Sequence, residues 1–387
     1  MASNKNRYTS SRIKHILSSL PFIFSSFFTK RNKKLIIFSA MHCETFDSNS
    51  KFLFLYFLKN EPDYTVKFVI NNEDFRNQLI NEYGPHFINT SIKEGKRIAV
   101  KAGTWVVSWM DLPLGGFFYK FRRLVIHLGH GTPLKNIGLC EKDGGLVKKV
   151  YYRLHKTNIS YSLASTPFIQ NIISKCLGFP NKKILVYGQP RTDALFEQPL
   201  TVKEFNKSEF NILYAPTWRQ YSELKLFPFE DFNSAELEEF LVNNSIHLWI
   251  RFHPAYEESL PKSILELKNI SLFSSKEYPE VMDYINCFDS LITDYSSIYL
   301  DYMLLERPIM FLPYDLEEYE NLIGFTMNYM ENTPGPKPTS LKEFLKFILD
   351  FKSNPEEYIK LVQNLNLKLN SSSKSNCADL ADFIKNN

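Results

Sequence analysis

The 387-residue chain has little cysteine, and what it has is scattered. Cys43, Cys140, Cys176, Cys287 and Cys377 are odd in number and form no CxxC pair, which excludes a zinc-ribbon site or a disulfide framework and reads as reduced cytosolic thiols. There is no P-loop and no GxGxxG after a first strand, so the common nucleotide-binding fingerprints are excluded. No acidic DxD-type pair stands near the candidate phosphate-binding residues, and the expectation is metal-free chemistry with no cofactor. A long apolar run is also missing. Ile16–Phe28 (ILSSLPFIFSSFF) is only 13 residues, broken by serine pairs and Pro21, and is too short to span a bilayer.

What is present is an aromatic-rich chain, with 33 Phe and 21 Tyr, whose rings are expected to fill cores. Its length and 44% hydrophobic content predict two domains. Residues 1 to 43 hold eight Lys or Arg and no Asp or Glu, so the +4 net charge belongs to the N-terminus and the remainder is net negative. That distribution disfavours nucleic acid as a partner. A short aromatic stretch bracketed by cations, with no small-residue cleavage site after it, predicts an interfacial anchor on anionic lipid. The alternative is a first helix packed on the domain.

From Leu35 onward, short β-rich runs alternate with helix-length amphipathic stretches, the pattern of βα units and parallel sheets. Strands are predicted at Lys34–Ala40, Tyr64–Ile70, Thr104–Ser108, Leu124–His127, Tyr161–Ala164 and Lys183–Tyr187. After a break rich in Pro and charge, a second series runs through Phe210–Tyr214, His247–Phe252, Ile270–Phe273, Ser290–Thr293 and Pro308–Leu312. The remaining chain, beyond Pro334, Pro336 and Pro338, reads as helices only. The fold class is therefore α/β, with two doubly wound, Rossmann-like domains and a cleft between them. The predicted segments are 1–34 (membrane surface), 35–195 and 208–338 (the two domains), and 339–387 (helices packing back on the domains).

Ligands of open parallel sheets bind outside the carboxyl ends of the strands, so the loops there carry the functional reading. After LVIHL, glycines flank His130 in Gly129-His130-Gly131-Thr132-Pro133-Leu134-Lys135, where an imidazole is placed for proton transfer. HLWIRF delivers Arg251-Phe252-His253-Pro254, a cation and an imidazole two residues apart that suit a phosphate. After SLIT, a helix is predicted from Ser296 to Glu306, with Ser296 or Ser297 as its cap and free N–H groups for donor phosphates. Asp301, one turn past Ser297, is a candidate acceptor for a ribose or polyol hydroxyl. Ala215-Pro216-Thr217-Trp218-Arg219 and Gly188-Gln189-Pro190-Arg191-Thr192-Asp193 each bring an arginine, a bidentate phosphate ligand, to a strand end.

In order and spacing, HGTPLK, GQPRTD, APTWR, RFHP and TDYSSIYLDYMLLERPIMFLPYDLEEY resemble the CDP-glycerol glycerophosphotransferase family of teichoic-acid primases and polymerases. FDSNSK at Phe46–Lys51 resembles a weaker element of it. The resemblance covers roughly Leu35 to Pro338 and implies a GT-B fold, with a CDP-polyol donor bound mainly by the second domain and the acceptor approaching from the first. It implies His130 as general base and His253 as the catalytic histidine beside the pyrophosphate. The donor-binding positions it implies are Gly131, Thr132, Pro133, Leu134, Arg191, Pro216, Thr217, Arg251, Phe252, Ser296, Ser297 and Asp301. Two departures stand out: Gly129 replaces an aromatic residue before HGTP, and Ile323 replaces an arginine before Gly324-Phe325.

The expected activity is transfer of a polyol phosphate, glycerol phosphate first, to a lipid-linked or polymeric surface glycan with release of CMP. It is expected at the cytoplasmic face of the membrane, in a peripheral enzyme. The alternatives are a CDP-ribitol-type transferase, a GT-B glycosyltransferase using a nucleotide sugar, and an inactive membrane-bound assembly partner. The long extra segments of large polymerases are missing, which suits a primase-like or single-addition role.

Overall fold

A computed structural model describes residues 16–142, 145–203, 205–219, 221–252, 257, 261–371 and 373–387. The chain divides into two compact units: residues 1–132, 137–193 and 373–387 form unit 1, and residues 133–136 and 194–372 form unit 2.

Unit 1 is built on β1 (Asn32–Ser39), β2 (Thr65–Val69), β3 (Phe87–Ile88), β4 (Ala102–Val107), β5 (Leu124–His127), β6 (Tyr161–Ala164) and β7 (Ile184–Val186). They lie in the order β3-β2-β1-β4-β5-β6-β7, all pairs parallel. β1 ends on five consecutive buried positions, the continuous apolar run of a strand covered on both faces. Phe38, Phe54, Phe57 and Phe68 are fully buried in this core, with Phe38 edge-on to Phe54, so here the aromatic excess is packing. Helices start where the side chains dictate. Thr166 accepts from Ile169 N ahead of Pro167, and Asn72 accepts from Phe75 N.

Unit 2 carries β8 (Phe210–Ala215), β9 (Ile246–Ile250), β10 (Ile270–Leu272), β11 (Ser290–Thr293) and β12 (Ile309–Phe311), in the parallel order β10-β9-β8-β11-β12. Both sheets reverse direction of growth once, between β1 and β4 and between β8 and β11. Each reversal leaves a crevice at the carboxyl ends of the two strands.

Two features differ from the sequence reading. The edge strand β3 is two residues long, too short for any periodicity to announce. Arg251 and Phe252 lie beyond β9 rather than inside it. The terminal helices divide, those over Leu341–Ser353 and Glu356–Leu369 belonging to unit 2 and that over Asn376–Lys385 to unit 1. In unit 1 Asp193 accepts from the backbone N–H groups of Asn376 (2.9 Å) and Cys377 (2.8 Å), so this motif residue anchors the last helix.

The helix over 16–28 packs on unit 1 through its serines, which the sequence pattern presented as interruptions of an apolar run. Ser19 and Ser26 are buried; Ser19 Oγ accepts from Gly115 N, and Ser18 Oγ accepts from Lys96 Nζ at 2.8 Å. Leu17, Leu20, Phe24 and Phe28 form the opposite, exposed stripe, with Phe28 at 89% exposure. Among the described residues no helix is long and apolar enough to cross a membrane.

Candidate active site

At the carboxyl end of β5 the chain turns through Gly129 (φ +71°) and Gly131 (φ +135°), conformations that L side chains resist. His130 between them is exposed, and its ring stacks on Trp109 with centroids 3.7 Å apart and planes 2° from parallel. Trp109 follows β4, so two neighbouring strands bring the pair together. An aromatic side chain at position 129 would have to take the left-handed φ; in this chain the aromatic partner of His130 comes instead from the next strand.

Arg191 Nη1 donates to His130 O at 2.8 Å, and a Cβ on Gly131 would lie 2.6 Å from Arg191 Nη2. Asn49 ties the two loops together from a fully buried position. Its Nδ2 donates to Gly129 O (2.9 Å) and Gln189 Oε1 (3.1 Å), and its Oδ1 accepts from Arg191 N (3.1 Å). Gln189 Nε2 then donates to Thr132 Oγ1 at 3.1 Å. Substituting Gly131→Ala should therefore strain the φ +135° backbone and push Arg191 off His130 O, a misplacement that near a reacting centre lowers turnover by about 10²-fold. Steady-state kinetics beside a melting curve would check it, and unchanged kcat would contradict the packing role.

His127 also lies at the end of β5, but burial first, and then the neighbouring His130 and His155, hold its imidazole down to about 3, and Nδ1 pairs with Ser162 Oγ. It is a neutral core group; His130 is the accessible imidazole there.

In unit 2 the crevice lies between the ends of β8 and β11. Asp294 Oδ1 accepts from Thr217 N at 2.8 Å, joining the two strand ends. Thr217 is 7% exposed, and among the described residues its Oγ1 is buried without a hydrogen-bond partner, an orphan that a bound ligand can satisfy. Ser296 and Ser297 are half-buried at the start of the helix over Ile298–Tyr302. The capping expectation needs correction: Ser297 makes no side-chain cap bond, and Ser296 Oγ accepts weakly from Ile298 N at 3.4 Å. The predicted long helix also breaks after five residues into a 3-10 turn at Met303–Leu305.

Arg219 is the larger correction. It is 1% exposed and wholly engaged, with Nη1 on Asp294 Oδ2 (2.8 Å) and Nε and Nη2 gripping Asp315 (2.7 and 2.9 Å). Tyr221 and Tyr295 hydroxyls donate to the same Asp315, and the guanidinium lies over the Tyr295 ring at 4.7 Å. Burial alone would lower its pKa, but the Asp294 and Asp315 carboxylates outweigh burial and raise it. Arg219 is a structural cation holding the crevice floor, not a phosphate ligand.

Arg251 spends Nη1 on Tyr278 O (2.9 Å) and Nη2 on Pro279 O (3.3 Å). Phe252, Pro216 and Asp301 are buried in unit 2. His253 lies outside the described residues. Thr132 and Leu134 are buried as well, Thr132 paired with Gln189 and Leu134 O accepting from Thr326 N at 2.9 Å. The segment 133–136 therefore packs in unit 2, where Gly324 O accepts from Asn136 N and Ile323 O from Asn136 Nδ2. The Ile323 departure sits in the loop that holds this segment. Lys135, on the same segment, has its pKa lowered by burial, with Asp294 opposing and Arg219 adding to the effect.

The family model for CDP-glycerol:poly(glycerophosphate) glycerophosphotransferase matches residues 22–380. The chain belongs to that family. It is 26% identical to a teichoic acid glycerol-phosphate transferase of Staphylococcus aureus, over 85% of this chain and 87% of that one. It is also 26% identical to a teichoic acid poly(glycerol phosphate) polymerase of Bacillus subtilis, over 83% of this chain and 44% of that longer protein. Among solved structures, the wall teichoic acid polymerase TagF shares its fold with a TM-score of 0.76 at 22% identity, covering 99% of this chain and 98% of that one. The fold is thus α/β and GT-B-like, and this glycerophosphotransferase-family chain is an enzyme.

Within the family frame, several residues that hold the site went unread in the sequence. Trp109 carries no motif. Asn49 and Asp294 sit inside the motifs FDSNSK and TDYSS, where nothing local marks the contacts they make across the sheets.

Proposed function

We propose that this glycerophosphotransferase moves glycerol phosphate from CDP-glycerol to a lipid-linked or polymeric surface-glycan acceptor and releases CMP. The observation that carries the reading is the exposed His130 stacked on Trp109. His130 takes the proton of an acceptor hydroxyl, the oxygen attacks the β-phosphorus, the bond from that phosphorus to the bridging oxygen breaks, and CMP departs. The imidazolium so formed lies on an indole face, which favours a cation. Arg191 fixes the base by its bond to His130 O. Thr217, Ser296, Ser297 and Arg251 hold the donor phosphates, with Asp301 and His253 in the supporting roles that the family pattern gives them. These donors take the place of a metal ion, so the reaction persists in EDTA. Glycerol is preferred to ribitol on the family's own description. The experiment is to offer CDP-glycerol, CDP-ribitol and nucleotide sugars with acceptor and chelator, and to separate the released nucleotides. CMP from CDP-glycerol supports the reading, and a nucleoside diphosphate from a sugar donor overturns it.

The enzyme acts as a peripheral protein at the cytoplasmic face of the membrane. Support comes from the exposed stripe Leu17, Leu20, Phe24 and Phe28, followed by Lys30, Arg31, Lys33 and Lys34. Changing Leu17, Phe24 and Phe28 together to glutamate should abolish sedimentation with anionic vesicles, and wild-type binding should weaken in salt. Equal pelleting of the triple variant would remove the anchor.

A further inference from the structure

Unit 1 has a pocket of about 70 Å³ that the proposed chemistry leaves unused. It lies at the carboxyl ends of β1 and β4, the reversal point of the seven-stranded sheet, where doubly wound folds receive ligands. Its polar wall is His42, Asp111, Tyr151 and His155, and Leu112 and Leu114 contribute an apolar one. Asp111 Oδ2 lies 3.1 Å from His42 Nδ1 and accepts from the His42 backbone N–H at 3.3 Å. To make that contact the chain holds His42 at φ +54° and Cys43 at φ +59°, two successive left-handed residues that are not glycine. Such backbone strain persists where surrounding structure enforces it, and it gathers at ligand sites. The thiol of Cys43 is not the reactive group, because burial first and the Asp111 carboxylate second push its pKa up.

Two further observations say what the pocket is for. Trp109, which stacks on His130, and Asp111, which holds His42, stand two residues apart in the loop after β4, so one loop serves both the base and the pocket. The two helices that line the pocket also carry exposed apolar stripes. That over 16–28 gives Ile16 to the lining and Leu17, Leu20, Phe24 and Phe28 to the surface; that over Leu146–His155 gives Tyr151 and His155 to the lining and Leu146, Val150 and Leu154 to the surface. A ligand carried on an apolar chain meets its polar site beside those stripes. The Asp111 carboxylate disfavours an anionic group, whereas imidazole, carboxylate and phenol together suit hydroxyls.

We infer that this pocket binds the hydroxylated head, polyol or sugar, of an acceptor carried on an apolar chain, and so presents it to the loop that bears the base. The inference rests on the proposed role of His130 toward the acceptor. His42→Gly is the informative variant, because glycine takes the left-handed conformation without strain and the fold is preserved, which a melting curve would verify. His42→Asn, which also tolerates that conformation and keeps a short polar group, should fall between wild type and His42→Gly.

With the full-length enzyme in vesicles, His42→Gly should raise KM for a lipid-linked acceptor about tenfold, the effect of losing a hydrogen bond to a chargeable group, and leave the Kd for CDP-glycerol unchanged. 1-O-Octylglycerol, a hydroxylated head on an apolar chain, should bind wild type in calorimetry and bind His42→Gly about tenfold more weakly. Equal acceptor KM and equal octylglycerol affinity in a folded His42→Gly enzyme would overturn the inference. If wild type released no CMP from CDP-glycerol, the proposed reaction would fail on that result alone, while the octylglycerol comparison would still decide the pocket.

Discussion

Replacing His130 with alanine should slow turnover by about 10²- to 10⁴-fold, the range that a positioned general base contributes, while CDP-glycerol binds with unchanged affinity. The split follows from the proposed roles, which set His130 at the acceptor hydroxyl and Thr217, Ser296, Ser297 and Arg251 at the donor phosphates. Trp109→Leu should give a smaller loss, about tenfold, because it removes only the indole face under the imidazolium and not the base itself. Steady-state rates and donor calorimetry on both variants test the pair. Weakened donor binding in His130→Ala would move His130 to the donor, and a Trp109→Leu enzyme as slow as His130→Ala would mean that the stack fixes the base rather than its charge.

Arg219→Met should destabilise the enzyme by about 3–5 kcal/mol, the usual effect of removing one partner from a buried ion pair. Asp294 would then stand buried, and Asp315 half-buried, without their shared cation, and two tyrosine hydroxyls would be bonded to an uncompensated carboxylate. Burial tends to raise the Asp315 pKa, but the hydrogen bond and charge of Arg219 together with the Tyr221 and Tyr295 hydroxyls outweigh it and hold the carboxyl below its ordinary value. Its stabilising share is therefore present above the ordinary carboxylate pKa and lost as pH falls through the depressed one. Adding Asp294→Asn and Asp315→Asn to Arg219→Met should recover part of the loss, because removing both sides of a buried pair is less costly than removing one. Urea unfolding at neutral pH would read the wild type and both variants. A loss in Arg219→Met below about 1 kcal/mol would contradict the structural role and return Arg219 to the list of phosphate ligands.

Arg219 also shows where sequence reading stops. The strand runs were legible because parallel strands covered on both faces demand unbroken apolar stretches, as in LIIFS or SLIT, and the loops after them were legible because glycine, proline and charge cluster there. What the residues touch across the sheet was not. An arginine in APTWR reads as a phosphate ligand until two carboxylates, from TDYSS and PYDLEEY, close on it. The serine pairs of the helix over 16–28 read as breaks in an apolar anchor, whereas Ser19 and Ser26 lie on its packing face. Asn49 ties together two loops that lie 80 and 140 positions further along the chain, a role that no local pattern encodes. His130 stood out in the sequence because two glycines flank it; its stack on Trp109 did not, because Trp109 comes from a neighbouring strand.

In the proposed reaction phosphorus, not carbon, is the atom attacked. CDP-glycerol carrying ³²P in the phosphate next to glycerol, given to the full-length enzyme with a lipid-linked acceptor, reads that choice in one experiment. The label should move to the acceptor in step with formation of unlabelled CMP, and both should stop together in His130→Ala. Label retained in a released nucleoside diphosphate, with unphosphorylated glycerol on the acceptor, would contradict it.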